Sequence, residues 1–158
     1  MTDTDVRLLR RAVAIARLAR ESGNHPFGAI LVDDTGGVLL EAQNTVETGR
    51  DATGHAETNL ARMASARYAP AELAAMTMYT SAEPCAMCSG AVYWAGIGTV
   101  VYALSEADLA IITGADEHNP TMALPCREVF AAGQRPTSVR GPVAVPEASG
   151  VHAGFWNN

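Results

Sequence analysis

Lysine does not occur in this chain of 158 residues, and all eleven basic residues are arginine. Seventeen acidic residues outnumber them, for a formal net charge of −6. With no cluster of basic residues, the chain lacks the electrostatic footprint that grips a nucleic-acid backbone, so nucleic acid is not an expected partner. Cysteine is also scarce: Cys85, Cys88 and Cys126 are the whole supply. Two of them fall in a single Cys-x-x-Cys, which leaves no disulfide framework and makes a reduced, cytoplasmic protein the economical expectation. No apolar run reaches transmembrane length, and the opening Met1-Thr2-Asp3-Thr4-Asp5 is acidic where a signal peptide is basic and then apolar. Neither a membrane nor a secretory route is expected. Internal repeats, low-complexity tracts and long linkers are absent too, so residues 1–158 are expected to form one domain.

What is present suits a compact α/β domain. Hydrophobic residues make up 48% of the chain and charged residues 18%. The apolar spacing of Leu8, Leu9, Val13, Ile15 and Leu18, with arginines between, predicts a helix over Val6 to Ala19 that stops at Ser22-Gly23-Asn24. Phe27 to Asp33 and Val38 to Ala42 read as a hairpin around Asp34-Thr35-Gly36-Gly37. Helices are expected over His55 to Arg67, Pro84 to Trp94, Glu106 to Ile112 and Leu124 to Ala132. Strands are expected over Met76 to Thr80 and Thr99 to Ala103, with a weak edge strand over Val139 to Val145 that carries Pro142. Strands alternating with helices after an opening hairpin imply a mixed sheet covered on both faces.

The chemistry is concentrated in His55-Ala56-Glu57 and Pro84-Cys85-Ala86-Met87-Cys88. Together they read H-x-E…P-C-x-x-C, the signature of zinc-dependent deaminases. His55, Cys85 and Cys88 supply an imidazole and two thiolates, three ligands for one zinc that prefers four. Cys85 and Cys88 stand one turn apart at a helix start, where the helix dipole favours thiolates. His55 is expected to open its own helix, so that two helix N-termini meet at the metal. Glu57, two residues from a ligand, is left free to move protons. A Cys-x-x-Cys alone is weaker evidence, since it is also half of a closed structural site or a redox pair. A closed site would draw its fourth ligand from Cys126, His118 or His25. Cys126 otherwise reads as a buried small hydrophobe. His25, His118 and His152 read as loop or surface residues, and Asp116-Glu117-His118 as either a solvated loop or part of the site. Trp94 is read as core packing or as a wall of the substrate pocket.

The stretches Pro26-Phe27-Gly28-Ala29, Gln43-Asn44, His55-Ala56-Glu57, Glu83-Pro84-Cys85-Ala86-Met87-Cys88 and Ala91-Val92-Tyr93-Trp94-Ala95 make the chain resemble the cytidine deaminase superfamily. Within it, the likeness is to bacterial guanine deaminases and related free-base deaminases. The resemblance implies a three-layer α/β/α sandwich with a central mixed five-stranded sheet, one Zn2+ per chain and a homodimer. It implies a small nucleobase-like substrate hydrogen-bonded by Asn44 and stacked on Phe27, opposite His55; Ala56, Trp94 and Trp156 are further candidates for contact with it. It further implies a second proton-carrying carboxylate, to which Gly114-Ala115-Asp116-Glu117 answers with Glu117 or, failing that, Asp116. The residues around that stretch depart from the guanine deaminase pattern, and cytosine, triazine-type bases and nucleosides stay open as substrates. The aromatic tail, about residues 147–158, is expected to close an active site, of its own chain or of a partner subunit. The Asp-x-Lys-x-Gly-Ala segment of tRNA adenosine deaminases has no counterpart: after Ala103 the chain reads Leu104-Ser105-Glu106-Ala107.

Overall fold

A computed structural model describes residues 2–156; Met1, Asn157 and Asn158 lie outside it, and with them the last two positions of the expected closing tail. The chain begins with α1 (Asp3–Glu21), followed by the hairpin β1 (Gly28–Val32) and β2 (Val38–Gln43). A single-turn α2 (Val46–Gly49) leads to α3 (Ala56–Arg67), a second short turn α4 (Pro70–Leu73) and β3 (Thr77–Ala82). Then come α5 (Ala86–Ala95), β4 (Thr99–Leu104), α6 (Glu106–Thr113), α7 (Cys126–Ala131), β5 (Ser138–Arg140) and α8 (Glu147–Gly150).

The helix α1 starts earlier than its apolar stripe suggests because Thr2 and Asp5 cap each other's backbone amides, satisfying donors the first turn would leave open. Three short helices, α2, α4 and α8, escape the apolar pattern because one turn buries almost no face. The edge strand β5 is three residues long rather than seven. Beyond Arg140 the chain turns through Gly141-Pro142, and proline has no amide to continue a ladder.

The sheet runs in the order β2-β1-β3-β4-β5. The strand β1 is antiparallel to both β2 and β3, whereas β3, β4 and β5 are parallel. This is the mixed five-stranded sheet expected. One core lies between the sheet and α3, α5 and α7, around Leu31, Leu60, Met78, Val92 and Phe130. A second lies on the opposite face against α1, around Leu8, Leu9, Ile30, Val101 and Leu109. The central strands β1, β3 and β4 are buried almost throughout, as two-sided coverage requires. The layer α1 sits close to the sheet at Gly28: a Cβ there would run into the Ala12 carbonyl and the Ala16 amide. Among the described residues, no helix is long and apolar enough to cross a membrane.

This topology gathers the functional segments at one sheet edge. The chain leaves β3 at Ala82 and β4 at Leu104, both carboxyl ends of parallel strands. The antiparallel β1 begins there, after Phe27, and β2 ends there, before Asn44. Crevices outside strand carboxyl ends are where open α/β sheets hold ligands.

Candidate active site

His55 is the N-cap of α3 and Cys85 the N-cap of α5; Cys88 follows in the first turn. Neither N-cap side chain caps its own helix, so both point away, toward each other. The His55 Nδ1 lies 3.5 Å from the Sγ of Cys85 and 3.5 Å from that of Cys88. The ligand atoms of all three residues lie within 4.8 Å of one another. Cys126, His118 and His25 do not join them, so among the described residues no fourth protein ligand closes the site. One imidazole and two thiols make a donor set suited to zinc.

The thiols behave as a coupled pair. The hydrogen bond from Cys88 pushes Cys85 down to about 4, with His55 adding to the effect against the cost of burial. Cys88 is raised, first by Cys85 and then by burial. One thiolate thus forms readily, and a divalent cation is what would displace the second proton. His55 is raised, chiefly by its hydrogen bond with Cys85. Thr58 adds an Oγ1–H donor to the Cys88 sulfur at 3.1 Å.

Glu57, on the first turn of α3, is only 4% exposed. Burial raises its pKa, while the hydrogen bond from Thr80 and the charge of His55 oppose the rise. It faces a cavity of about 430 Å³ whose walls include Phe27, Asn44, His55, Cys85, Glu106 and Glu117. The Asn44 Oδ1 accepts from the Val46 amide at 3.0 Å, which leaves its Nδ2 as the donor turned to the cavity.

Most residues singled out from the sequence meet here; of the predicted site residues, Cys88, Trp94, Ala56, Asp116 and Trp156 do not line the cavity, and Cys88 joins the site through His55 and Cys85. Trp94 is 82% exposed on the outer face of α5, neither core nor pocket wall, because the inward face of that helix is taken by Cys88, Val92 and Ala95. Ala56 is fully buried with its methyl in the α3–sheet core, so only its backbone could serve the site. Asp116 is buried, and its Oδ1 accepts from the amide and Nδ1 of His118, which shapes the loop; Glu117 and His118 reach the cavity instead. Trp156 is buried behind the wall, 5.3 Å from the His25 ring and 6.2 Å from Phe27. The tail thus packs against the rim residues of its own chain, and Phe155 joins the same aromatic group.

Two of the histidines read as loop or surface residues lie in loop or turn segments but are buried. His25 lines the cavity and is lowered by burial, against the pull of Glu47 3.3 Å away. His152 stacks near Trp156 and accepts its indole N–H at Nδ1, 3.0 Å. Cys126 is buried as expected, and burial pushes its thiol up to about 12. Three further site residues have no role assigned from the sequence, although Glu83 stands in one of the matching stretches. Thr80 bonds Glu57. Glu83 bridges two helix starts, accepting from the Glu106 amide at 2.9 Å and the Cys126 amide at 3.0 Å. Glu106 lies 8% exposed on the cavity wall. Acids in an otherwise apolar strand-to-helix junction were the available clue.

This geometry agrees with comparisons to known proteins. Residues 2–104 match the family described as the cytidine and deoxycytidylate deaminase zinc-binding region, and the chain belongs to that family. It is 38% identical over 157 residues to a probable cytosine deaminase of Schizosaccharomyces pombe, covering 99% of this chain and 95% of the relative. It is 43% identical over 103 residues to the guanine deaminase of Bacillus subtilis, 65% of each protein. The crystal structure of the Bacillus subtilis guanine deaminase superposes with a TM-score of 0.61 at 40% identity, over 70% of this chain and 69% of that one. The guanine deaminase of Nitrosomonas europaea shares the fold, with a TM-score of 0.77 at 24% identity over 93% of this chain and 81% of that one.

Proposed function

We propose that the protein is a zinc-dependent aminohydrolase that converts an amino-substituted nucleobase or similar small heterocycle to its oxo form and ammonia. Guanine is the first candidate. The observation that carries the reading is the buried Glu57 on the wall of a cavity that His55 and Cys85 also line, with Cys88 completing a three-ligand group with those two. A structural zinc-stabilised binding module has no use for a free buried acid at that place. Zinc held there supplies a Lewis acid that brings the pKa of a water toward about 7. Phe27 and Asn44 position the ring, Asn44 by donating from Nδ2. Glu57 takes a proton from the water as the carbon–oxygen bond forms and gives it to a ring nitrogen, then takes the remaining proton of the new hydroxyl and gives it to the amine. The carbon–nitrogen bond breaks and ammonia leaves. Glu117, at the cavity mouth, is the proposed second proton carrier.

A cytosine-type base is the second reading, favoured by the nearly end-to-end likeness to the Schizosaccharomyces pombe relative. The dividing experiment is a panel of guanine, cytosine, an aminotriazine and the matching nucleosides, read by ammonia release. Turnover on guanine supports the first reading, turnover on cytosine alone the second, and no release from any of them overturns both. The acidic chain and its freedom from basic clusters support a small-molecule substrate over RNA. Three free thiols support a reducing, cytoplasmic setting. Met87 and Trp94, exposed on one side of α5, support a homodimer.

A further inference from the structure

The cavity contains one carboxylate that the reaction, as read so far, does not use. Glu106 opens α6 just beyond the carboxyl end of β4. Its backbone amide is fixed by Glu83 Oε2 at 2.9 Å, and Glu83 is itself held at its other oxygen by the Cys126 amide. The residue is therefore locked in place, and it is more than nine-tenths buried. Its carboxylate accepts no hydrogen bond from any other described residue; it lines the cavity alongside Glu57, Cys85 and Leu109. Burial comes first, then Cys85, Glu83 and Glu57, in pushing it up to about 7, with the charge of His55 opposing them. An acceptor with no protein donor, on the wall of an open cavity, is available to a donor that a ligand brings. Across the same cavity, Asn44 has its oxygen engaged and its Nδ2 free, so it offers a donor. The two residues present opposite hydrogen-bonding characters to whatever lies between them.

We propose that Glu106 is a specificity-determining residue that accepts a hydrogen bond from a ring N–H of the substrate. This rests on the deaminase reading of the site and deepens it. The substrate class is then a heteroaromatic base that shows an acceptor to Asn44 and a ring N–H to Glu106, and a base alkylated at that nitrogen loses the contact. Glu106 would act on binding and orientation, since Glu57 already carries the proton at the reacting carbon.

The test measures binding without turnover, by calorimetry on the zinc-loaded Glu57→Gln protein, with and without Glu106→Ala. The ligands are guanine and cytosine and, for each, the analogues methylated at one ring N–H at a time. Glu106→Ala is expected to weaken the preferred parent base roughly tenfold or more, the usual range for a hydrogen bond to a charged group. One methylated analogue is expected to bind both proteins equally and as weakly as the parent binds Glu106→Ala. If the parent loses less than twofold, or if no methylation removes the difference between the two proteins, the proposal is wrong. Glu106→Gln, which keeps the shape and one acceptor oxygen, is run beside it, with zinc content and melting temperature as controls. Should Glu106→Ala not fold, Glu106→Leu, which likewise has no acceptor, decides by the same two criteria. Failure of the deaminase reading looks different: the unsubstituted protein would bind a base and release no ammonia.

Discussion

The Thr80 hydroxyl lies 2.7 Å from Glu57 Oε1 and 2.9 Å from the Ala82 carbonyl oxygen, on a strand that the sequence separates from Glu57 by a whole helix. A hydroxyl has one proton to give, so it holds Glu57 in place either as donor to the carboxylate or as acceptor from the carboxylic acid, with Ala82 taking the hydroxyl proton in the second case. Thr80 is thus a positioning residue for the proton carrier. Thr80→Val, close to it in shape, is expected to lower kcat about tenfold with KM within twofold, and Thr80→Ser to recover most of the loss. Steady-state kinetics on the best substrate decides it. Equal kcat for Thr80→Val and the parent protein would mean that Glu57 is held by packing alone.

The meeting of His55, Cys85 and Cys88 was legible because chemistry fixes their spacing: Cys85 and Cys88 must share a helix start, and His55 must bring a second one. The long elements were legible from apolar period. Thr80 and Glu83 were not, because a strand threonine and an acid before a proline look like ordinary strand and loop residues until tertiary contact gives them partners. Trp94 misled because an aromatic on a central helix is usually buried, yet the small Ala95 and the buried Cys88 and Val92 already fill the inward face. His152 and His25 misled in the other direction: an aromatic tail folding back on Phe27 buries both.

Removing a ligand should remove the metal. The parent is expected to hold one zinc per chain by elemental analysis, and His55→Ala and Cys88→Ala each to lose most of it, and turnover with it. Cys126→Ala, which leaves the group intact, is expected to keep both. Zinc retained at full occupancy in Cys88→Ala would place the ion elsewhere.

The tail predicts a particular acid sensitivity. Burial, aided by the charge of Arg20, holds His152 down to about 4, against roughly 6.5 in the unfolded chain. Between those values the unfolded state binds the extra proton, so stability rises with pH across that window. The contribution is complete above about 6.5 and is lost as pH falls toward 4, up to about 3 kcal/mol in all. Melting curves from pH 7.5 to 4.5 should therefore fall more steeply for the parent than for His152→Gln. Parallel curves would contradict the buried, neutral state.

The two tryptophans should respond oppositely to removal. Trp156→Ala empties a buried site and is expected to cost about 3 kcal/mol by denaturant titration. Trp94→Ala is expected to change kcat/KM by less than twofold and the stability of the single chain by less than about 0.5 kcal/mol, its effect falling on the proposed homodimer, read by sedimentation. A large loss of kcat/KM in Trp94→Ala would restore it to the substrate pocket.

The most direct test of the account is ammonia release by the zinc-loaded protein against zinc-loaded Glu57→Gln, on the best base of the panel. The parent is predicted to release ammonia and oxo-base in equal amounts. Glu57→Gln, with fold and zinc intact, is predicted to be slower by roughly 10²- to 10⁴-fold, the range a positioned acid–base supplies. A Glu57→Gln protein that keeps more than about a tenth of the rate would contradict the assignment of proton transfer to Glu57.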